Sequence, residues 1–306
     1  MNTRALAADA NDHTPAAPVP LSPSMAENAG YLLHRAFQHV HADTAGVLGD
    51  EMHARDLTLL AHLLAGGPAS QQQLAERFTV NRSVMVKRID ALEQAGLVVR
   101  ARNPLDRRLH AVTATERAAP ALAAYEPKLL AAESLVLRRL TAAERRRLRA
   151  LLIRLLGRAL PAVAAPVSET TGYLIARAHH WLRAQADQAC APLGLDVREH
   201  GALSTLNDIA PCTQQQLATL MGVTGPVIVE LVDALEPRGL VRRDRNPADR
   251  RSYALVLTAS GREMLTRTSA AIETIREEVR ERIGADGDRQ LCALLRRLIG
   301  AADPPG

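Results

Sequence analysis

Aromatic residues make up only 2% of this 306-residue chain: two Phe, four Tyr and one Trp. Any pocket that needs aromatic rings must draw on that small set. Lysine occurs only at Lys87 and Lys128, so nearly all positive charge is arginine. Arginine suits bidentate phosphate and base contacts, although a general bias toward arginine codons would give the same composition. The three cysteines, Cys190, Cys212 and Cys292, all lie in the second half. Their odd number, and their absence from the first half, argue against a disulfide framework and make a reducing, cytoplasmic setting the default expectation. Neither Cys190 nor Cys212 has a flanking Lys, Arg or His to lower its pKa, so buried structural thiols are expected rather than redox sensors. No apolar run reaches the length of about 18 residues that a transmembrane helix needs, and no apolar secretory segment opens the chain. A Walker A loop, a nucleophile elbow, an HExxH pair and a dinucleotide fingerprint are all missing, which excludes the enzyme classes those motifs mark. His34, His39, His41, His53 and His62 are dense in the first half. No tight ligand spacing accompanies them, so solvated or core histidines are expected, with no metal and no cofactor.

What remains is ordinary in bulk and unusual in arrangement. Hydrophobic residues are 47%, charged residues 23%, and the net charge is +5, as in a soluble globular protein of about two domains. The chain, however, says one thing twice. Asn-Pro-Leu-Asp-Arg-Arg at 103–108 returns as Asn-Pro-Ala-Asp-Arg-Arg at 246–251, and aligning 70–108 with 213–251 gives 22 identities in 39 positions. That period is the size of a domain, far longer than a solenoid unit. The expected organisation is a disordered tail at 1–24, a first domain at 25–160, a short stiff linker at 161–167 and a second domain at 168–302.

Each half reads as four helices, a hairpin and two more helices. Ser70-Gln-Gln-Gln73 and Thr213-Gln-Gln-Gln216 are capping boxes that open a short helix. The next helix starts at Asn81 or Thr224, buries Val84, Ile89 and Leu92 or Val227, Val232 and Leu235, and stops at Gly96 or Gly239. Two strand-like runs around an Asn-Pro turn follow, and Thr115 and Thr258 are expected to cap the helix after them. In the first half that helix contains Pro120 and Pro127, which should kink or break it.

A capped short helix, a tight turn, a second helix and a basic hairpin describe a winged helix-turn-helix. The second helix is the right width for a major groove. Its candidate contacts are Arg82, Ser83, Lys87 and Arg88 in the first half and Thr224 in the second. The hairpins add Arg100, Arg102, Arg107 and Arg108, and Arg242, Arg243, Arg245, Arg250 and Arg251, suited to a minor groove or to phosphates. Asp106 and Asp249 repel phosphate, and are expected to hold a wing arginine through a carboxylate–guanidinium fork.

The run Leu-Val-Arg-Arg-Asp-Arg-Asn-Pro-Ala-Asp-Arg-Arg-Ser-Tyr-Ala-Leu-Val-Leu-Thr at 240–258, with the helix before it, resembles the wing of the MarR family of transcriptional regulators. The resemblance extends over nearly the whole chain, one family protomer per half. It implies a mainly α fold with small β-wings, in which two tandem winged helix-turn-helix domains form an intrachain pseudodimer through their terminal helices. Two apolar stripes fit that pairing: Met264, Thr268, Ile272, Ile275, Val279 and Ile283, and Leu148, Leu151, Leu152, Leu155 and Leu156. The resemblance also implies double-stranded DNA as partner, a repressor's role, and a small aromatic or phenolic effector bound between the dimer helices and the DNA-binding lobe. Tyr31, Tyr173, His179, His180 and Trp181 are the candidate lining residues; core or interface packing is the competing reading.

The halves are not equivalent. Glu230 stands where the first recognition helix has Lys87, so the two helices are expected to read different half-sites, or the second to bind mainly through its wing. A non-sequence-specific architectural DNA binder and a winged-helix protein-interaction module are the alternatives. Arginine-rich wings in both halves argue against the second of these.

Overall fold

The computed structural model describes residues 21–49, 52–78, 80–102, 110–160, 162–245 and 253–301, with backbone only at Arg102, His110 and Ala159. Ser22 and Met25 are buried and Pro23–Ala26 form a first helical turn, α1, so positions 21–24 belong to the fold and not to the expected tail. Positions 1–20 lie outside the described residues.

The first half continues with α2 (Ala29–Leu48), α3 (Ala54–Gly66), α4 (Gln71–Phe78), α5 (Arg82–Gln94), the antiparallel pair β1 (Val98–Arg102) and β2 (His110–Ala114), then α6 (Ala118–Ala124), α7 (Glu126–Val136) and α8 (Ala142–Leu156). The second half follows with α9 (Thr171–Cys190), α10 (Val197–Ile209), α11 (Gln214–Met221), α12 (Gly225–Leu235), β3 (Val241–Arg245), β4 (Tyr253–Leu257), α13 (Ala259–Ile283) and α14 (Ala285–Ile299).

Local chemistry sets most of these boundaries. Both expected capping boxes form: Ser70 and Gln73 exchange bonds of 2.9 and 3.2 Å, and Thr213 and Gln216 do the same at 2.8 and 3.2 Å. The Asn81 side chain accepts from Val84 N at 2.9 Å and starts α5. Each wing gains a third, one-residue strand. Ala69 pairs with Val112, and Cys212 pairs with Leu255, which places the Cys212 thiol in the interior. Thr258 caps α13 by accepting from Gly261 N at 2.9 Å. Thr115 does not cap a helix; its hydroxyl donates to Gly96 O at 2.8 Å, and α6 begins after Arg117. The first-half helix is broken at Tyr125, between Pro120 and Pro127, whereas α13, without proline, runs unbroken for 25 residues. A proline removes a helical N–H and clashes with the preceding turn.

The two halves share one core. Helix α2 packs on α7 of its own half and on α9 and α14 of the other, and α9 packs on α13 of its own half and on α2 and α8 of the other. The first helix of each half therefore lies on the last helix of its counterpart. Leu148, Leu151, Leu152, Leu155 and Leu156 from α8 join Ile275, Val279 and Ile283 from α13 in a single apolar cluster that also contains the first winged-helix lobe. Met264 and Ile272, earlier on the same stripe, face a second cluster inside the second lobe. Polar contacts follow the same interlock: Arg282 donates to Leu155 O at 2.9 Å, Arg147 to Gln290 at 2.6 Å, and Glu133 accepts from Thr171 N at 2.8 Å. The connector is docked as well, with Ala164 N bonded to Ala61 O at 3.0 Å.

Candidate nucleic-acid interface and effector cavity

In the first lobe the recognition helix α5 buries Met85, Ile89 and Leu92. Its other face presents Arg82, Ser83 and Lys87 to solvent. Ser83 Oγ donates to the Asn81 cap at 2.9 Å, so it is ordered at the start of the helix. In the second lobe α12 buries Ile228, Leu231, Val232 and Leu235 and exposes Thr224, Gly225, Pro226 and Glu230. The two exposed faces differ in charge: Arg82 is matched by Gly225, and Lys87 by Glu230.

Four of the arginines expected at DNA, Arg88, Arg100, Arg242 and Arg243, are paired with protein carboxylates. Arg88 turns inward and donates to Asp56 of α3 at 2.6 Å, with the Asp56 side chain 10% exposed. Arg100 of β1 spans Asp90 and Glu93 of α5. Arg243 of β3 repeats that clamp on α12, reaching Asp233 at 2.6 Å and also Glu236. Each clamp is completed by a backbone N–H of the same arginine bonded to the glutamate, at 3.0 Å in the first lobe and 3.2 Å in the second. These carboxylates hold both guanidinium groups above the usual arginine range, against a desolvation cost that acts the other way. A guanidinium that bridges two carboxylates fixes the strand's angle to the helix. Asp90, Glu93 and Arg100 are all identical in the second copy as Asp233, Glu236 and Arg243. That conjunction was the sequence signal for the clamp, and counting arginines alone missed it. Arg242 forms an exposed fork with Asp244 at 2.5 and 2.7 Å, and Arg245 is exposed. Asp106, Arg107, Arg108, Asp249, Arg250 and Arg251 lie outside the described residues, as does the side chain of Arg102.

A cavity of about 620 Å³ lies between α2, α3, α7 and α9 and the first helix-turn-helix. Three of the five expected lining residues, Tyr173, His179 and His180, are on its wall. The other two are elsewhere. The Tyr31 hydroxyl donates to Leu220 O in the second lobe and accepts from Arg35 at 2.7 Å. Trp181 carries the Arg282 guanidinium over its ring at 4.3 Å. Packing takes both positions because α2 and α9 are the contact between halves. The cavity's remaining aromatic wall comes from residues set aside by the sequence reading. His34, His41 and His62 line it with Phe37 and Phe78. The Phe37 and His179 rings stack at 4.8 Å, and His34 lies 5.3 Å from His179. Burial, aided by neighbouring cations, lowers His34 to about 4, His179 to about 3 and His180 to about 4, so these rings are neutral at physiological pH. Burial lifts Tyr173 to about 12. The wall is thus largely apolar and aromatic, with neutral imidazoles able to donate or accept, and with Arg55, Arg88 and Arg177 around it.

All three thiols are buried. Burial raises Cys190 and Cys212 to about 11 and Cys292 to about 12, which suppresses the reactive thiolate. No single helix among the described residues is long and apolar enough to cross a membrane, and no group of acidic, histidine or cysteine side chains among them is arranged for a metal ion.

Comparison with known proteins returns the same repeat. The sequence model of the MarR family matches residues 54–110 and, separately, 195–253. Among solved structures, the transcriptional repressor CouR bound to a 23-mer DNA duplex is 34% identical, covers 40% of this chain and 87% of its own, and has a TM-score of 0.39. CouR from Rhodococcus jostii RHA1 bound to p-coumaroyl-CoA is 28% identical, with coverages of 39% and 83% and a TM-score of 0.35. A probable transcriptional regulator from Pseudomonas aeruginosa is 27% identical, with coverages of 43% and 98% and a TM-score of 0.41. Two matched stretches at equivalent places in the repeat, and 34% identity over most of a relative's length, lead to one conclusion: the chain belongs to the MarR family and carries its winged helix-turn-helix fold in both halves.

Proposed function

We propose that this protein is a sequence-specific DNA-binding transcriptional regulator, acting as a repressor that a small aromatic or phenolic effector releases from double-stranded DNA. In this reading residues 25–160 and 168–302 act as the two protomers of a dimer, and 161–167 replaces association of separate chains. The recognition helices α5 and α12 enter successive major grooves, and the arginine-bearing wings reach the adjacent minor grooves or phosphates. The protein works by binding, in the cytoplasm, and not by catalysis.

The observation that carries this proposal is the exposed Arg82–Ser83–Lys87 face of α5, ordered by the Asn81 cap. The two CouR structures, one with DNA and one with p-coumaroyl-CoA, support it by kinship. Because Glu230 opposes Lys87, the operator is an imperfect palindrome; a glutamate can accept from cytosine N4 but repels phosphate.

Footprinting on the protein's own promoter, at two salt concentrations with excess competitor DNA, tests this. A protected site spanning about two helical turns that survives competition supports the regulator. Diffuse binding that disappears with modest salt leaves only the electrostatic component and favours an architectural binder.

A further inference from the structure

The second helix-turn-helix lacks what the first can offer to phosphate. From Gln214 to Leu235, through α11 and α12, there is no Lys or Arg, whereas 71–94 contains Arg77, Arg82, Lys87 and Arg88. The α12 face turned to solvent includes Thr224, Gly225, Pro226, Val229, Glu230 and Asp233. Its centre is apolar. Val229 is 43% exposed and stands one turn before Asp233, which Arg243 holds. Its first-half counterpart, Val86, is half-buried and shares its face with Arg82, Ser83 and Lys87.

The second wing presents another apolar group. Tyr253 is 58% exposed, and no other Phe, Tyr or Trp of this aromatic-poor chain is exposed. Tyr253 pairs with Arg245 across the hairpin, and Leu255, two residues on, pairs with Arg243. Cross-strand partners, and alternate residues along a strand, share one face of the sheet. Tyr253 and Arg245 therefore continue, toward the wing tip, the face on which the Arg243 clamp meets α12. Exposed apolar side chains scattered singly need no explanation. Here both stand on the reading surface of the one lobe whose helix-turn-helix has no cation.

We propose that the second lobe reads its half-site by apolar contact: Val229 packs on the C5-methyl of a thymine in the major groove, and the Tyr253 ring lies in the adjacent minor groove beside Arg245. Thymine's methyl is the apolar mark of the major groove. An apolar side chain in the minor groove responds to the width and stacking of the step it touches. The first lobe differs in kind, because Arg82 and Lys87 are donors whose best base partner is guanine. This deepens the DNA-binding reading proposed above and rests on it.

The test uses the full chain and the operator that footprinting defines. Lys87→Ala weakens protection in the half-site under the first lobe, which identifies the other half-site as that of the second. Replacing each thymine there in turn by deoxyuridine removes a methyl and no hydrogen bond. At one position wild-type affinity is expected to fall about fourfold, the value of one buried methyl, and Val229→Ala is expected to be indifferent to the same replacement. Replacing adenine by 2,6-diaminopurine places an amino group in the minor groove, and is expected to weaken the wild type more than Tyr253→Ala. The base replacements on the wild-type chain stand even if a variant fails to fold. Indifference of the wild type to deoxyuridine throughout that half-site, equal losses for wild type and Val229→Ala, or equal losses for wild type and Tyr253→Ala with diaminopurine would each overturn the proposal. A footprint with no bounded site is the failure of the DNA-binding reading itself; it shows before any base is replaced, and takes this proposal with it.

Discussion

Arg88 offers the sharpest test of how the first lobe is organised, because its sequence neighbourhood assigns it to DNA and its partner assigns it to the interior. Its guanidinium bonds Asp56 at 2.6 Å, with side-chain exposures of 20% and 10%. Removing one member of a buried pair costs about 3–5 kcal/mol, since the other charge is left uncompensated. Here the pair borders a cavity and keeps some solvent access, so Arg88→Leu is expected to cost about 2 kcal/mol after that screening. Asp56→Asn is expected to cost a similar amount. The double variant should regain most of the loss, because leucine occupies the equivalent buried site at Leu231 and no charge remains unpaired. Urea unfolding of the four proteins in a double-mutant cycle measures the coupling. The companion measurement is the salt dependence of operator binding. Lys87→Ala should reduce the magnitude of the log–log slope by about 0.9, the loss of one phosphate contact, with stability changed by less than about 0.5 kcal/mol. Arg88→Leu should leave the slope unchanged. If Arg88→Leu flattens the slope while the unfolding midpoint stays put, Arg88 belongs to the DNA surface and the inward assignment is wrong.

Three further outcomes follow from the same contacts. His34, His179 and His180 have folded-state values of about 4, 3 and 4 against 6.5 for the free group, so below 6.5 the unfolded chain binds more protons; stability should be complete above that pH and decline between 6.5 and 4, and a flat urea midpoint across that window would contradict the burial argument. Gly261→Ala places a Cβ 2.1 Å from Leu240 O, a backbone atom that cannot swing aside, and should lower stability by about 1–3 kcal/mol, whereas Gly225→Ala, with nothing within 4 Å, should be near neutral by the same thermal scan. Arg243→Ala releases β3 from α12 and should cost about 1 kcal/mol, because its carboxylate partners are partly exposed; DNA affinity should fall through loss of wing position, with no change in salt slope.

The duplication, the order of elements, the capping boxes, the broken helix at Pro120 and Pro127 and the apolar stripes of α8 and α13 were all determined by the sequence alone. Apart from the duplication, which is read by comparing the two copies, each is a matter of residues within a turn or two of one another, where hydrogen-bond reach and helical period leave few choices. The wing clamp had a local signal, since Asp90, Glu93 and Arg100 lie within one short stretch and recur intact, but the arginine-rich hairpin alone assigned Arg100 and Arg243 to DNA and the structure was needed to bring them to the carboxylates. Thr115 defeated the local reading although its hydroxyl donates to Gly96 O just as the Thr258 hydroxyl donates to Gly239 O while capping α13: in the first half the helix begins two residues later, after Arg117, and leaves no helical N–H over the threonine. Only the tertiary structure decided which arginines remain for DNA and which rings form a cavity. Arg88 meets Asp56 32 residues away, and Tyr31 meets Leu220 across 189 residues. The first distance is closed by α3 and α5 packing into one lobe and the second by α2 packing against the other half, and no local pattern encodes either meeting.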